Sequence, residues 1–124
     1  MVFLIDANVI LRFLIGDDET NFYKSIEIFQ KIEEGKMTVE ILPSMMMEVY
    51  FVLTKFYKIT KKMVIEDLKK LLLLKGITGE KILLYETLNL LERKNIDFVD
   101  AYLCTKAKME GYGIISFDKD LQKC

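Results

Sequence analysis

The sequence predicts an α/β domain built on a short parallel sheet, and three observations predict it. Val2-Phe3-Leu4-Ile5 is an uninterrupted apolar run that stops on Asp6. A run apolar on both sides fits a strand covered on both faces better than a half-exposed strand, whose residues would alternate. Ile114-Ile115-Ser116-Phe117-Asp118 repeats the form near the other end of the chain. Between the two, strand-like runs alternate with segments of helical periodicity, an order that calls for parallel strands joined by right-handed crossovers.

The elements follow in turn. Residues 2–6 read as the first strand. Residues 8–15 read as a short helix with Val9, Ile10, Phe13 and Leu14 on its apolar side, stopped by Gly16. Asp17, Asp18 and Glu19 then form an acidic cluster, read as a solvated loop with charge at the next helix start. Residues 21–34 carry Ile26, Phe29 and Ile32 near helical spacing and end at Gly35. Residues 37–42 read as the second strand. Pro43-Ser44 breaks the chain, with Ser44 as a natural N-cap for a helix over residues 45–57. That helix is almost wholly apolar through its first three turns and should be central.

A further helix runs from Thr60 or Lys61 to Leu74, with a solvated lysine face and an apolar end that reads as core or subunit contact. Residues 76–78 form a marginal third strand, and residues 80–94 a helix with Ile82, Leu83, Leu84, Leu88, Leu90 and Leu91 as its apolar residues. Residues 97–108 form the next helix, for which Asp97 is an N-cap and Asp100 its capping-box-like partner. Gly111 and Gly113 break the chain before a last strand over residues 113–116 and a turn over 117–120. There is no repeat, low-complexity tract or linker, so residues 1–124 read as one domain.

Composition removes several function classes. At 52% hydrophobic the chain is too apolar for disorder. No run approaches the ~20 apolar residues of a membrane span, and no basic region precedes the first apolar run, so a cytoplasmic protein is expected. The Lys, Glu and Ile richness with a single Pro resembles thermophile composition. The two cysteines do not make a disulfide framework: Cys104 reads as core and Cys124 as a free thiol. With no histidine, Ser-His-Asp and Cys-His catalysis and His-ligated zinc are excluded. Any general base is then a carboxylate, a lysine, a tyrosine or a metal-activated water. A net charge of −1 supplies no global field for nucleic acid, which would need a local basic face.

Asp6, Glu48, Asp100 and Asp118 each stand at a strand's carboxyl end or in a helix's first turn. In a parallel sheet such places converge on one edge. For Asp6 alone, helix capping and chemistry weigh equally. Glu48 interrupts an apolar helix, where an unpaired buried carboxylate would be costly, and a ligand role outweighs a dipole role. Four convergent carboxylates repel unless a cation neutralises them, and hard oxygen donors select Mg²⁺ or Mn²⁺.

With these residues in view the chain resembles the PIN-domain nucleases, particularly VapC-type toxin ribonucleases. The matching segments are Asp6-Ala7-Asn8-Val9-Ile10-Leu11-Arg12-Phe13-Leu14 with Gly16-Asp17-Asp18, then Glu48-Val49-Tyr50-Phe51-Val52-Leu53, Asp97-Phe98-Val99-Asp100-Ala101 and Ser116-Phe117-Asp118. They cover almost the whole chain in the family's order. The resemblance implies a three-layer α/β/α fold, an Mg²⁺- or Mn²⁺-dependent endoribonuclease and, for the toxin branch, a cognate antitoxin protein. It carries over Asp6, Glu48, Asp100 and Asp118 as the metal-holding, catalytic acids, Asn8 and Ser116 as their polar supports, and Asp97 and Asp120 as accessory acids. Arg12 reads equally as a contact for RNA phosphate or a partner and as a surface residue. The apolar helix faces fit either a homodimer or core. The family often continues into a further short edge strand, so the edge beside residues 113–116 is exposed, covered by a partner or lost by truncation.

Three other readings stay open: an inactive PIN-like binding module, which would show no Mn²⁺ stabilisation; a receiver-like phosphoacceptor domain, which a phosphoryl-donor assay would reveal; and a DNA rather than RNA substrate, since no residue pattern reads a 2′-OH.

Overall fold

β1 (Val2–Leu4), β2 (Thr38–Glu40) and β3 (Ile77–Thr78) form a parallel sheet in the order β1-β2-β3. Phe3 pairs with Val39, and Val39 with Ile77. The computed structural model describes residues 1–122 and 124. They fall into two compact units, Met1–Lys81 and Ile82–Cys124.

In the first unit, α1 (Ala7–Ile15) and α2 (Glu19–Glu33) connect β1 to β2. α3 (Pro43–Phe51), a π-helical turn (Val52–Phe56) and α4 (Lys61–Leu72) connect β2 to β3. Parallel pairing requires such long crossovers, and both are helical as the alternation predicts. Gly16, at φ 71, closes α1 by donating its N–H to the Arg12 carbonyl, and Asp18 caps α2 by accepting from the Asn21 amide at 3.3 Å. α1 packs on α2 and α3, and the Phe13 and Phe29 rings stack at 4.2 Å. Ile10, Ile32, Val39, Met46, Val49 and Leu68 are among the fully buried side chains. Gly76 enters β3 so close to the carbonyls of Met37 and Ile32 that a Cβ would collide with both.

Several expectations change here. The third helix begins one residue earlier than Ser44 would set it: Leu42 is the N-cap and Pro43 the first helical residue, where its missing N–H costs nothing. Glu48 therefore lies in the second turn rather than the first, and it is exposed. The same helix buries one face only, through Met46 and Val49, while Phe51 stands in solvent. It also does not run unbroken to residue 57, because its hydrogen bonding shifts to the π pattern at Val52. β1 is an edge strand with Val2, Phe3 and Leu4 all exposed, not a strand covered on both faces.

The second unit holds α5 (Lys81–Arg93, all but its first residue), α6 (Phe98–Glu110) and α7 (Lys119–Gln122). Leu84, Thr87, Leu88 and Leu91 recur at helical spacing and are buried, with the Thr87 hydroxyl donating to the Leu83 carbonyl at 2.8 Å. Gly111, at φ 70, ends α6 through its N–H to the Ala107 carbonyl. Residues 113–116 are not a strand. Their β-branched run suits one, but a strand exists only with a hydrogen-bonding neighbour, and Ile115 and Phe117 are fully exposed instead. Cys104 and Cys124 form a disulfide with Cα atoms 5.3 Å apart, so Cys124 is not a free thiol. Among the described residues no helix is long and apolar enough to cross a membrane.

Candidate functional site

Asp6 sits one residue beyond the buried Ile5, at the carboxyl end of β1, and Ala7 is buried immediately after it. It occupies the N-cap position of α1 (φ −80, ψ 147), yet its side chain makes no capping hydrogen bond. Only its carbonyl serves the helix, accepting from the Val9 N–H at 3.1 Å. The capping role that competed with chemistry is therefore not what the carboxylate does. Asn8 is exposed in the first turn of α1, and α3, which packs on α1, carries the exposed Glu48.

Arg12 does not stand open to solvent for a phosphate. Its Nη1 pairs with the Asp17 carboxylate at 3.0 Å, and the Tyr57 hydroxyl donates to the other oxygen of Asp17 at 2.8 Å. That hydrogen bond, more than partial burial, holds the Tyr57 hydroxyl above the usual tyrosine range. Asp17 and Tyr57 had no signal as a pair, being 40 residues apart in sequence.

The second unit gathers the other acids. Asp97 caps α6, accepting from the Asp100 N–H at 2.9 Å, which is the cap the sequence predicts. Ser116 Oγ accepts from the Asp118 N–H at 2.9 Å, and Asp118 accepts in turn from the Asp120 N–H at 2.8 Å. Gln122 closes this turn by donating its side-chain amide to the Ser116 carbonyl. Ser116 thus holds the Asp118 backbone, and it does so from a turn and not from a strand end. A cavity of about 1110 Å³ is lined by Asp97, Asp100, Asp118 and Asp120, with Cys104 and Leu121 also on its wall.

Burial, then the charges of Asp97 and Asp118, hold the Asp100 carboxyl above the usual carboxylate range. Repulsion of this kind is what a bound cation relieves, and an all-oxygen donor set suits a hard divalent ion. By donor chemistry these residues fit Mg²⁺ or Mn²⁺. Their spacing is open: among the described residues no three His, Cys, Asp or Glu side chains are drawn close enough to hold an ion. Mg²⁺ commonly keeps several waters and takes only one or two carboxylates directly.

Parallel strands joined by helical crossovers define an α/β protein, and the second unit carries a cavity lined by four aspartates together with Arg93, Lys94 and Lys108. The chain belongs to the PIN-domain family, which it matches over residues 3–124. The fold is accordingly the α/β/α type with a short three-stranded parallel sheet. PIN domains are generally nucleases, and PIN-domain nucleases generally use divalent metal ions. No curated protein and no solved structure matches the chain.

Proposed function

We propose that this protein is a metal-dependent endoribonuclease and the toxin of a toxin–antitoxin pair. The observation that carries the nuclease reading is the cavity lined by Asp97, Asp100, Asp118 and Asp120 in a member of the PIN family. Asp100 and Asp118 would hold Mg²⁺ or Mn²⁺, with Asp97 and Asp120 as accessory acids. The sequence pattern supports the same work for Asp6 and Glu48, with Asn8 as a polar support. When bound, the ion supplies charge neutralisation at phosphate oxygens and acidifies water near neutral pH.

The chain's own residues do the remaining work. The α6 cap fixes the backbone under Asp100, and the Ser116–Asp118–Asp120 turn fixes Asp118. With no histidine in the chain, the groups on this cavity that could take the proton of the attacking water are its carboxylates and the lysines Lys94 and Lys108, and we assign the role to a carboxylate. The toxin role rests on the resemblance of the motif segments to the short VapC type. On this reading the partners are an RNA substrate and an antitoxin protein, the active form is a homodimer, and the compartment is the cytoplasm.

The test is cleavage of a labelled RNA pool in EDTA, Mg²⁺ or Mn²⁺ by the wild type and by Asp6→Asn, Glu48→Gln, Asp100→Asn and Asp118→Asn. Metal-dependent cleavage that falls by more than about 100-fold in each variant supports the assignment. Cleavage that survives Asp100→Asn overturns it. Melting in the same buffers separates an inactive module, which would gain no stability from metal.

A further inference from the structure

The face that ends α3 combines features that the acidic cavity does not explain. Phe51 is 62% and Phe56 74% exposed, an unusual state for large aromatic side chains. They bracket the π-helical turn, five residues apart, with the exposed Lys55 between them and the buried Leu53 as the turn's inward anchor. Thr54 donates its hydroxyl to the Tyr50 carbonyl at 2.8 Å, and the Tyr57 N–H reaches back five residues to Val52 at 3.1 Å.

Next comes Lys58, the one non-glycine residue with positive φ (57°) among those described. A lysine in the left-handed region is uncommon, and strained positions of this kind cluster at functional sites. Phe56 is also fixed in place. Its ring meets the Tyr57 ring edge-on at 5.0 Å, and Tyr57 is tied to Asp17 and through it to Arg12. α4 packs on the π-helical turn and brings the exposed Lys62 and Met63. From residue 51 to residue 70 the chain has six lysines and two carboxylates, in a protein whose net charge is −1.

We propose that Phe51, Lys55, Phe56 and Lys58 form a platform for single-stranded RNA, on which bases stack against the two phenylalanines while the lysines meet phosphates. Stacked aromatics interleaved with cations are how proteins hold single strands without reading sequence. The exposed Lys55, Lys58 and Lys62 supply the local positive charge that the overall composition lacks. The platform rests on the ribonuclease reading only for the kind of substrate, and it lies wholly within the first unit.

The test is binding of a fluorescently labelled oligouridine to the full chain in EDTA, read by anisotropy, with probe integrity checked on a gel. Phe56→Ala weakens binding roughly 5- to 100-fold, and Lys55→Glu weakens it and lowers the salt dependence. Since Phe56 is exposed, the alanine variant folds, and Lys55→Glu provides an independent reading. Lys58→Gly keeps the backbone conformation and removes a charge, so it weakens binding while raising the melting temperature. Unchanged affinity in Phe56→Ala and Lys55→Glu overturns the proposal. So does a change of oligomeric state in those variants at constant affinity, which would make this face a contact between copies. Binding that depends on Phe56 without any metal-dependent cleavage would leave the platform standing and remove the nuclease reading. Cleavage and affinity that ignore Phe56 would do the reverse.

Discussion

The Asp97 carboxylate accepts the Asp100 amide N–H at 2.9 Å, so the group that starts α6 also sets a negative charge beside the first-turn acid. One side chain orders the helix and perturbs its neighbour. With Asp118 on the same cavity, Asp100 is held above the usual carboxylate range, chiefly by burial. A carboxyl raised in the fold contributes stability below its unfolded value, and that contribution is lost as pH rises through the folded value. In EDTA, Asp100→Asn should therefore melt above the wild type near pH 7, and the gap should close in acid. Thermal melts from pH 3 to pH 8 check this, and a neutral-pH wild type as stable as the variant would contradict it.

The two roles of Asp97 separate by substitution. Asp97→Ala removes the cap and should cost about 1 kcal/mol. Asp97→Asn keeps a good cap and removes the charge, so it should cost little and return the Asp100 carboxyl toward its ordinary range. Urea denaturation of both variants, with NMR titration of Asp100, distinguishes them.

The Cys104–Cys124 bond closes a 20-residue separation and ties α6 to Cys124. Chain-entropy arguments give about 3 kcal/mol for a loop of that size. Reductant should lower the melting temperature of the wild type and leave Cys124→Ser unchanged. Alkylation under denaturing conditions should label no thiol before reduction and two after it.

Tyr57 is held above the usual tyrosine range first by its hydrogen bond to Asp17. Its raised value means stability that is present below the ordinary tyrosine value and lost at alkaline pH as the folded value is passed. Asp17→Asn should shift the phenolate titration back down, and Tyr57→Phe should remove that transition from the ultraviolet titration. Both should also loosen Phe56, read as lower protection of the π-helical turn in hydrogen exchange.

What the sequence could not supply was pairing. Helix ends were legible because glycines and capping residues act locally: Gly16, Gly111 and Asp97 do what their types suggest. The acid set read from the sequence was Asp6, Glu48, Asp100 and Asp118, with Asp97 and Asp120 as accessories; Asp97, Asp100, Asp118 and Asp120 line one cavity of the second unit, and Asp6 and Glu48 belong to the first. The strand expected over residues 113–116 failed because β propensity does not provide a neighbour. Cys104 and Cys124 were read apart because nothing local brings their Cα atoms within bonding reach. Pro43 overrode Ser44 as the start of α3, and the shift moved Glu48 by part of a turn. The Lys55-Phe56-Tyr57-Lys58 interleaving was the available signal for the proposed platform.

Among the described residues β1 ends the sheet, with one row of backbone donors and acceptors unclaimed by a strand and three exposed apolar side chains. Strands of this kind recruit whatever extended peptide meets them first. Solubility should therefore depend on concentration more steeply than the charge balance suggests. A lysine at Phe3 should act as a gatekeeper, slowing β-rich aggregation while leaving the cavity in the second unit untouched.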